Sequence, residues 1–108
     1  KLGNIDVSRD FSDVRWISEA YTNLLSTPTK GITRINLCSG KLISIRTIIA
    51  SLQEITGHQI GVEIDGSFVR KADIRCQYGN NNKLFSEAPN LSSAIEFTET
   101  LKWMLQSK

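Results

Sequence analysis

Two short clusters hold the side chains best suited to chemistry. Arg9-Asp10-Phe11 lies just before a helical stretch, and Arg70-Lys71-Ala72-Asp73 lies inside a long polar loop. An arginine at a loop edge presents a planar fork that matches a phosphate with two parallel hydrogen bonds. An aspartate beside it can accept from the paired hydroxyls of a ribose. On position alone these residues also fit ordinary solvated surface charges, which contribute little. The remaining inventory points away from catalysis within this stretch. There is no nucleophile elbow, no histidine at useful spacing from a carboxylate, and no glycine-rich phosphate loop. The single His58 has no neighbouring ligand and there is no CxxC, so a metal site is not expected.

The bulk composition sets the frame for these clusters. The 108 residues amount to one domain at most, and 40% hydrophobic with 22% charged is an ordinary globular balance. A formal charge of +2, with basic residues spread along the chain, is not the clustered face of a nucleic-acid binder. The local group Arg70, Lys71 and Arg75 is of a size to hold one phosphate or diphosphate. No run approaches the ~18 apolar residues of a membrane span. Nothing at the start looks like a targeting segment, so a cytoplasmic location is expected. Cys38 and Cys76 then read as reduced thiols. The opening Lys1-Leu2-Gly3-Asn4 has no initiator Met and enters on a strand-like stretch, as a piece or a trimmed terminus would.

The clusters must be held by secondary structure, and the pattern supplies it. Val14, Ile17, Ala20, Tyr21, Leu24 and Leu25 recur at helical spacing, with Ser12 or Asp13 as the N-cap and with Pro28 and Gly31 as breakers. Ile32 to Cys38 alternates as a short, half-buried strand. Ser44 caps a second helix whose buried stripe is Ile45, Ile48, Ile49, Leu52 and Ile55, ended by Gly57. Gln59 to Asp65 reads as a second strand. A charged, Asn-rich loop then runs from Gly66 to Lys83, followed by a turn at Lys83-Leu84-Phe85. Ser93 and Glu96 form a capping box for a final helix with Ile95, Phe97, Leu101, Met104 and Leu105 on its apolar face. The expected fold class is α/β, with three main helices and a few short strands. A sheet this small is more comfortable docked on something larger.

The motifs in order resemble the extended short-chain dehydrogenase/reductase family. Gly3-Asn4-Ile5-Asp6 with Arg9-Asp10-Phe11-Ser12-Asp13-Val14-Arg15 is similar to its "GNLD…RDF.DVRD" stretch. Ile35-Asn36-Leu37-Cys38-Ser39-Gly40 is similar to "YNVCSG", Ser44-Ile45-Arg46 to "SIRE", Arg70-Lys71-Ala72-Asp73 to "RPAD", and Asn81-Asn82-Lys83-Leu84 to "DNSKL" or "SNKRL". Within the family the look is that of GDP-mannose 4,6-dehydratases and GDP-4-keto-6-deoxyhexose reductases.

The resemblance implies that residues 1–108 are a C-terminal substrate-binding portion. An N-terminal Rossmann domain, absent from this chain, would bind NAD or NADP and supply the Ser/Thr–Tyr–Lys catalytic set. It also implies a nucleoside-diphosphate sugar as ligand, with Arg9 and Arg70 on the diphosphate and Asp73 on the ribose. The segment by itself would be inactive, and the full-length protein a homodimer or tetramer. A different class of answer is a free-standing binding or interaction module derived from that family. Three departures carry expectations of their own. Trp16 stands where the family usually has Asp and is expected on a helix surface facing the cofactor domain. Lys71 replaces a proline, which removes a fixed φ between Arg70 and Asp73. Ser86 to Asn90 replaces a Trp-containing turn.

Overall fold

The computed structural model describes residues 1–28 and 31–106. In chain order it contains β1 (Ser8–Arg9), α1 (Val14–Leu25), β2 (Ile43–Ser44), α2 (Ile45–Thr56), β3 (Cys76–Gln77), α3 (Asn82–Glu87) and α4 (Phe97–Gln106), with one 3-10 turn at Gly66–Phe68. The strands form a mixed sheet in the order β2-β1-β3. Ser8 and Arg9 pair antiparallel with Ser44 and Ile43, and parallel with Cys76 and Gln77. The central strand is therefore the one that carries Arg9.

Local chemistry sets the ends of the first two helices. Asp13 is the N-cap of α1, its Oδ1 accepting from Arg15 N–H at 2.7 Å. Ser44 caps α2, its Oγ accepting from Thr47 N–H at 3.0 Å, and Gly57 at φ 69° closes that helix. Two further N–H groups at the start of α2, those of Ile45 and Arg46, donate to the carbonyls of Val7 and Ile5, both at 3.2 Å. The helix is thereby stitched to the stretch leading into β1.

The core gathers Trp16, Ala20, Leu84, Ala88 and Leu91, with Ile17, Leu24, Ile35, Leu37 and Phe85 packed around them. Trp16 is fully buried, not surface-facing as its position in the motif suggests. Its ring lies 6.3 Å from that of Phe85, and its Nε1–H donates to the Ser92 carbonyl at 2.8 Å. A ring of that area is worth more inside than on a surface.

Five other expectations change. Lys83-Leu84-Phe85 is not a turn but the middle of α3, because Leu84 is drawn under Trp16. The α2 stripe is half-buried, with no residue fully enclosed. Residues 32–38 are not a strand: among the described residues no other strand pairs with the segment, and Ile32 is 91% exposed. Of the stretch 59–65 only Ile64 pairs, in an isolated parallel bridge with Leu2. The final helix starts at Phe97, past the expected Ser93 cap. Glu96 gives its carboxylate to Lys41 at 2.7 Å, while its carbonyl accepts from Glu99 and Thr100 N–H at 2.9 and 3.2 Å.

Candidate functional site

The strand β1 projects successive side chains to opposite sides, as any strand must. Arg9 points toward the 70–74 segment. Its Nη2 donates to Asp73 Oδ1 at 2.9 Å, and its Nη1 donates to the carbonyls of Ile74 at 2.6 Å and Ser8 at 2.9 Å. Both partners of this ion pair are largely shielded, with Arg9 27% and Asp73 18% exposed at the side chain. Arg70 is exposed and lines the same cleft as Arg9 and Asp73, a cavity of about 330 Å³. The three residues singled out by motif, 64 positions apart in the case of Arg9 and Ile74's neighbour Asp73, are thus brought to one place.

The cleft has an apolar side formed by Leu2, Ile45 and Phe68. Gly3 makes its shape possible, since a Cβ there would come within 2.7 Å of the Phe68 carbonyl oxygen. Only a residue without a side chain lets the opening segment run so close to the 66–68 turn. Lys71, in place of the family's proline, leaves Arg70 and Asp73 in one cleft all the same. The contact with Arg9 orients Asp73 in a way that a fixed φ at position 71 would not.

Asp10, the aspartate beside Arg9 in the first cluster, faces the other way, and both of its oxygens are taken by protein donors. Its Oδ1 accepts from Ser39 N–H at 2.9 Å and Ser39 Oγ–H at 2.5 Å, and its Oδ2 accepts from Gly40 N–H at 2.9 Å and Gly79 N–H at 3.2 Å. Burial pushes this carboxyl up, but the bonds from Ser39, Gly79 and Gly40 outweigh it and hold it below its ordinary value. On this side lies a second cavity of about 480 Å³, with Arg9 and Asp10 at its base and Ser12, Asn36, Cys38 and Tyr78 around it. Arg9 lines both cavities. The signal for Asp10 was its place beside Arg9, but its partners lie 29 and 69 positions away.

Asp13 and Arg15 belong to the framework beneath. Asp13 is buried, takes Arg15 through two side-chain bonds of 3.0 and 2.7 Å, and accepts from Thr100 Oγ1–H at 2.7 Å. The Arg15 guanidinium, burial notwithstanding, holds the carboxyl well below the usual carboxylate range, with help from Thr100. Arg15 also lies over the half-buried Trp103 ring at 4.2 Å from its centroid. Both cysteines are free thiols; Cys38 is buried and Cys76 exposed. Among the described residues no helix is long and apolar enough to cross a membrane.

A nicotinamide dinucleotide needs a glycine-rich turn between a strand and a helix. Among the described residues, β2–α2 is the one place where a strand runs straight into a helix, and there Ser44 fills the junction with no glycine. This chain's own residues do not fit that cofactor.

No family model matches the chain. It is 37% identical over 84 residues to GDP-6-deoxy-D-mannose reductase of Pseudomonas aeruginosa, a match covering 78% of this chain and 27% of that protein. It is 34% identical over 90 residues to GDP-6-deoxy-D-talose 4-dehydrogenase of Aggregatibacter actinomycetemcomitans, covering 83% and 30% respectively. A crystal structure from Burkholderia cenocepacia superposes with a TM-score of 0.91 at 40% identity, over 98% of this chain and 34% of that one. The structure of RMD from Pseudomonas aeruginosa complexed with NADPH superposes at 0.84 with 32% identity, over 97% and 34%. The chain belongs, as a segment, to the extended short-chain dehydrogenase/reductase family of nucleotide-sugar epimerases, dehydratases and reductases. It spans about a third of the length of the relatives it matches.

Proposed function

We propose that this chain is the substrate-gripping portion of a nucleotide-sugar reductase, acting on a GDP-linked 4-keto-6-deoxyhexose. One observation carries the reading: Arg9, Arg70 and Asp73, far apart in sequence, meet in a single cleft of about 330 Å³. Two relatives at 37% and 34% identity are named for GDP-6-deoxyhexoses, which favours GDP over other nucleotides. Arg70 and the outer edge of the Arg9 fork take the diphosphate. Asp73 has one carboxylate oxygen on Arg9 and offers the other to a ribose hydroxyl. The cofactor, NADPH or NADH, is held by a Rossmann domain elsewhere in the full-length protein and would supply hydride to the ketone at the sugar C4.

The work of this portion is orientation. Each charge-assisted contact to the diphosphate contributes about 1.5–3 kcal/mol. Binding energy from the unreactive nucleotide fixes the hexose where a reaction can occur. The unpaired segment 32–38, with Ile32 at 91% exposure, and the neighbouring end of α1, with Leu25 at 87%, suit the surface that meets the cofactor domain. An exposed, apolar, unpaired edge is otherwise a liability.

The test is titration of the full-length protein with GDP, UDP and dTDP, followed by the same titration of Arg9→Ala and Arg70→Ala. GDP is expected to bind tightest, and each variant to weaken it by about 10- to 150-fold. Unchanged affinity in both variants would refute the assignment of the diphosphate site.

A further inference from the structure

Arg9 stands at the boundary between two cavities, and Asp10 is attached to only one of them. The nucleotide side carries Arg70, Asp73 and Phe68. The opposite side carries Ser12, Asn36, Cys38 and Tyr78. If the diphosphate sits at Arg9 and the ribose at Asp73, the chain of the ligand continues past Arg9 toward the second side, where the hexose must lie. The walls of that second side come from segments remote in sequence, residues 36–38 (which run on into Ser39 and Gly40) and 77–79, and they share no strand pairing with each other. Asn81 Nδ2–H donates across to the carbonyls of Cys38 and Ser39 at 3.3 and 3.1 Å, and the two oxygens of Asp10 tie both walls to the base. Oδ1 takes both donors of Ser39, and Oδ2 takes the amides of Gly40 and Gly79.

We infer that Asp10 is a positioning residue for the sugar half of the substrate. Its carboxylate fixes the 39–40 and 79 loops, and so fixes the wall against which the hexose is aligned. The inference rests on the reading given above, that a nucleotide sugar lies across Arg9.

The chemistry demands a carboxylate. A group that accepts from Ser39, Gly40 and Gly79 at once must be an acceptor at both oxygens, and an ionised carboxylate is acceptor-only. An amide of the same size keeps one acceptor oxygen and turns two N–H donors toward backbone N–H groups. Asp10→Asn therefore releases one of the two loops from the base without changing volume, leaving it held by the Asn81 bonds alone. Because Asp10 does not touch the nucleotide side, the nucleoside diphosphate should still be held. The loss falls on alignment, where a displacement near 1 Å can cost on the order of 100-fold in rate. A residue that only supported the fold would lower the melting temperature and leave the folded enzyme's turnover intact.

The experiment uses the full-length protein, with GDP as the binding probe and GDP-4-keto-6-deoxymannose with NADPH as the reacting pair. Asp10→Asn, Ser39→Ala and Arg9→Ala are compared well below their melting temperatures. Ser39→Ala removes one of the donors and keeps the carboxylate and three amide bonds, so it stays folded even if Asp10→Asn does not. Expected for Asp10→Asn is a kcat lower by about 10- to 100-fold with the Kd for GDP within about 3-fold of the parent. Ser39→Ala is expected to show the same split at about 3- to 10-fold, because one bond of the group is lost. An unchanged kcat in both variants, or a kcat that falls in step with GDP affinity, overturns the inference. A parent protein that neither binds GDP nor turns over this pair, or an Arg9→Ala variant that binds GDP normally, overturns the reading beneath it instead.

Discussion

The Arg9–Asp73 pair allows a test that separates a shared grip from two independent contacts. Arg9 Nη2 and Asp73 Oδ1 are 2.9 Å apart, and the other end of the fork is engaged by the carbonyls of Ile74 and Ser8. Of these acceptors only Asp73 can be removed by changing a side chain. Arg9→Ala removes one charge-assisted contact with the diphosphate, about 1.5–3 kcal/mol, or ~10- to 150-fold in Kd for GDP. Asp73→Ala removes a ribose acceptor and also releases one arm of Arg9. For a pair this well shielded we take the coupling as about 1 kcal/mol, the upper part of the range for exposed pairs. The double variant should then bind GDP about 5-fold tighter than the product of the two single effects predicts. Isothermal titration of the full-length protein and its three variants reads this directly. Additivity within about 0.3–0.5 kcal/mol would refute the coupling. Tighter binding in Asp73→Ala would refute more, since the carboxylate would then merely oppose the anion.

Other parts of the structure give sharper expectations about stability and reactivity. The Asp13 carboxyl is held below its ordinary value of 3.8, so its contribution is complete above that pH and is lost as the pH falls through and below it. The melting temperature should therefore drop more steeply below pH 4 in the parent than in Asp13→Asn, as thermal scans across pH would show. Gly79→Ala places a Cβ within 2.9 Å of Cys38 Cβ, and overpacking of this kind costs about 1–3 kcal/mol, measurable by chemical denaturation. A maleimide applied to the native chain should modify the exposed Cys76 and spare Cys38, whose thiol is buried and pushed up chiefly by that burial and next by Asp10. Peptide mapping distinguishes the two sites.

What could be read from the sequence follows the range of the forces involved. The starts of α1 and α2 rest on bonds between a capping side chain and an amide two or three positions on, so Asp13 and Ser44 announce them. The helix α3 was not legible, because its cause is Leu84 under Trp16, a contact between distant segments. Nor were the strands, which are two residues each and have no period to detect. Segment 32–38 shows the reverse case: its alternation is genuine, but a strand needs a partner that the described residues do not provide. Arg9, Arg70 and Asp73 were candidates by residue type and position, and motif resemblance singled them out, since an arginine at a loop edge has no signature of its own. Asp10 was legible beside Arg9 only as an acceptor for a ribose, because nothing local shows that its oxygens meet Ser39, Gly40 and Gly79.

The segment that carries Arg9 and Asp10 is itself held from behind by one face of α4. Phe11 lies 5.3 Å from Phe97 between ring centroids, Asp13 accepts from Thr100 at 2.7 Å, and Arg15 stacks on Trp103 at 4.2 Å. Alternate residues on the first segment thus meet every third residue on the helix, the spacing that keeps contacts on one helical face. The central member of this ladder is the buried one, with Thr100 at 4% and Asp13 at 2% exposure. Thr100→Val preserves shape and removes the hydroxyl, leaving Asp13 Oδ2 with Arg15 alone. We expect a loss of about 1–3 kcal/mol from the buried acceptor. If α4 only fills space, Thr100→Val will match the parent in denaturant midpoint. If α4 braces the site, the variant will lose stability and, in the full-length protein, also weaken GDP binding modestly, since the base of β1 is no longer fixed. A loss of stability with GDP affinity untouched would confine α4 to the fold and detach it from the site.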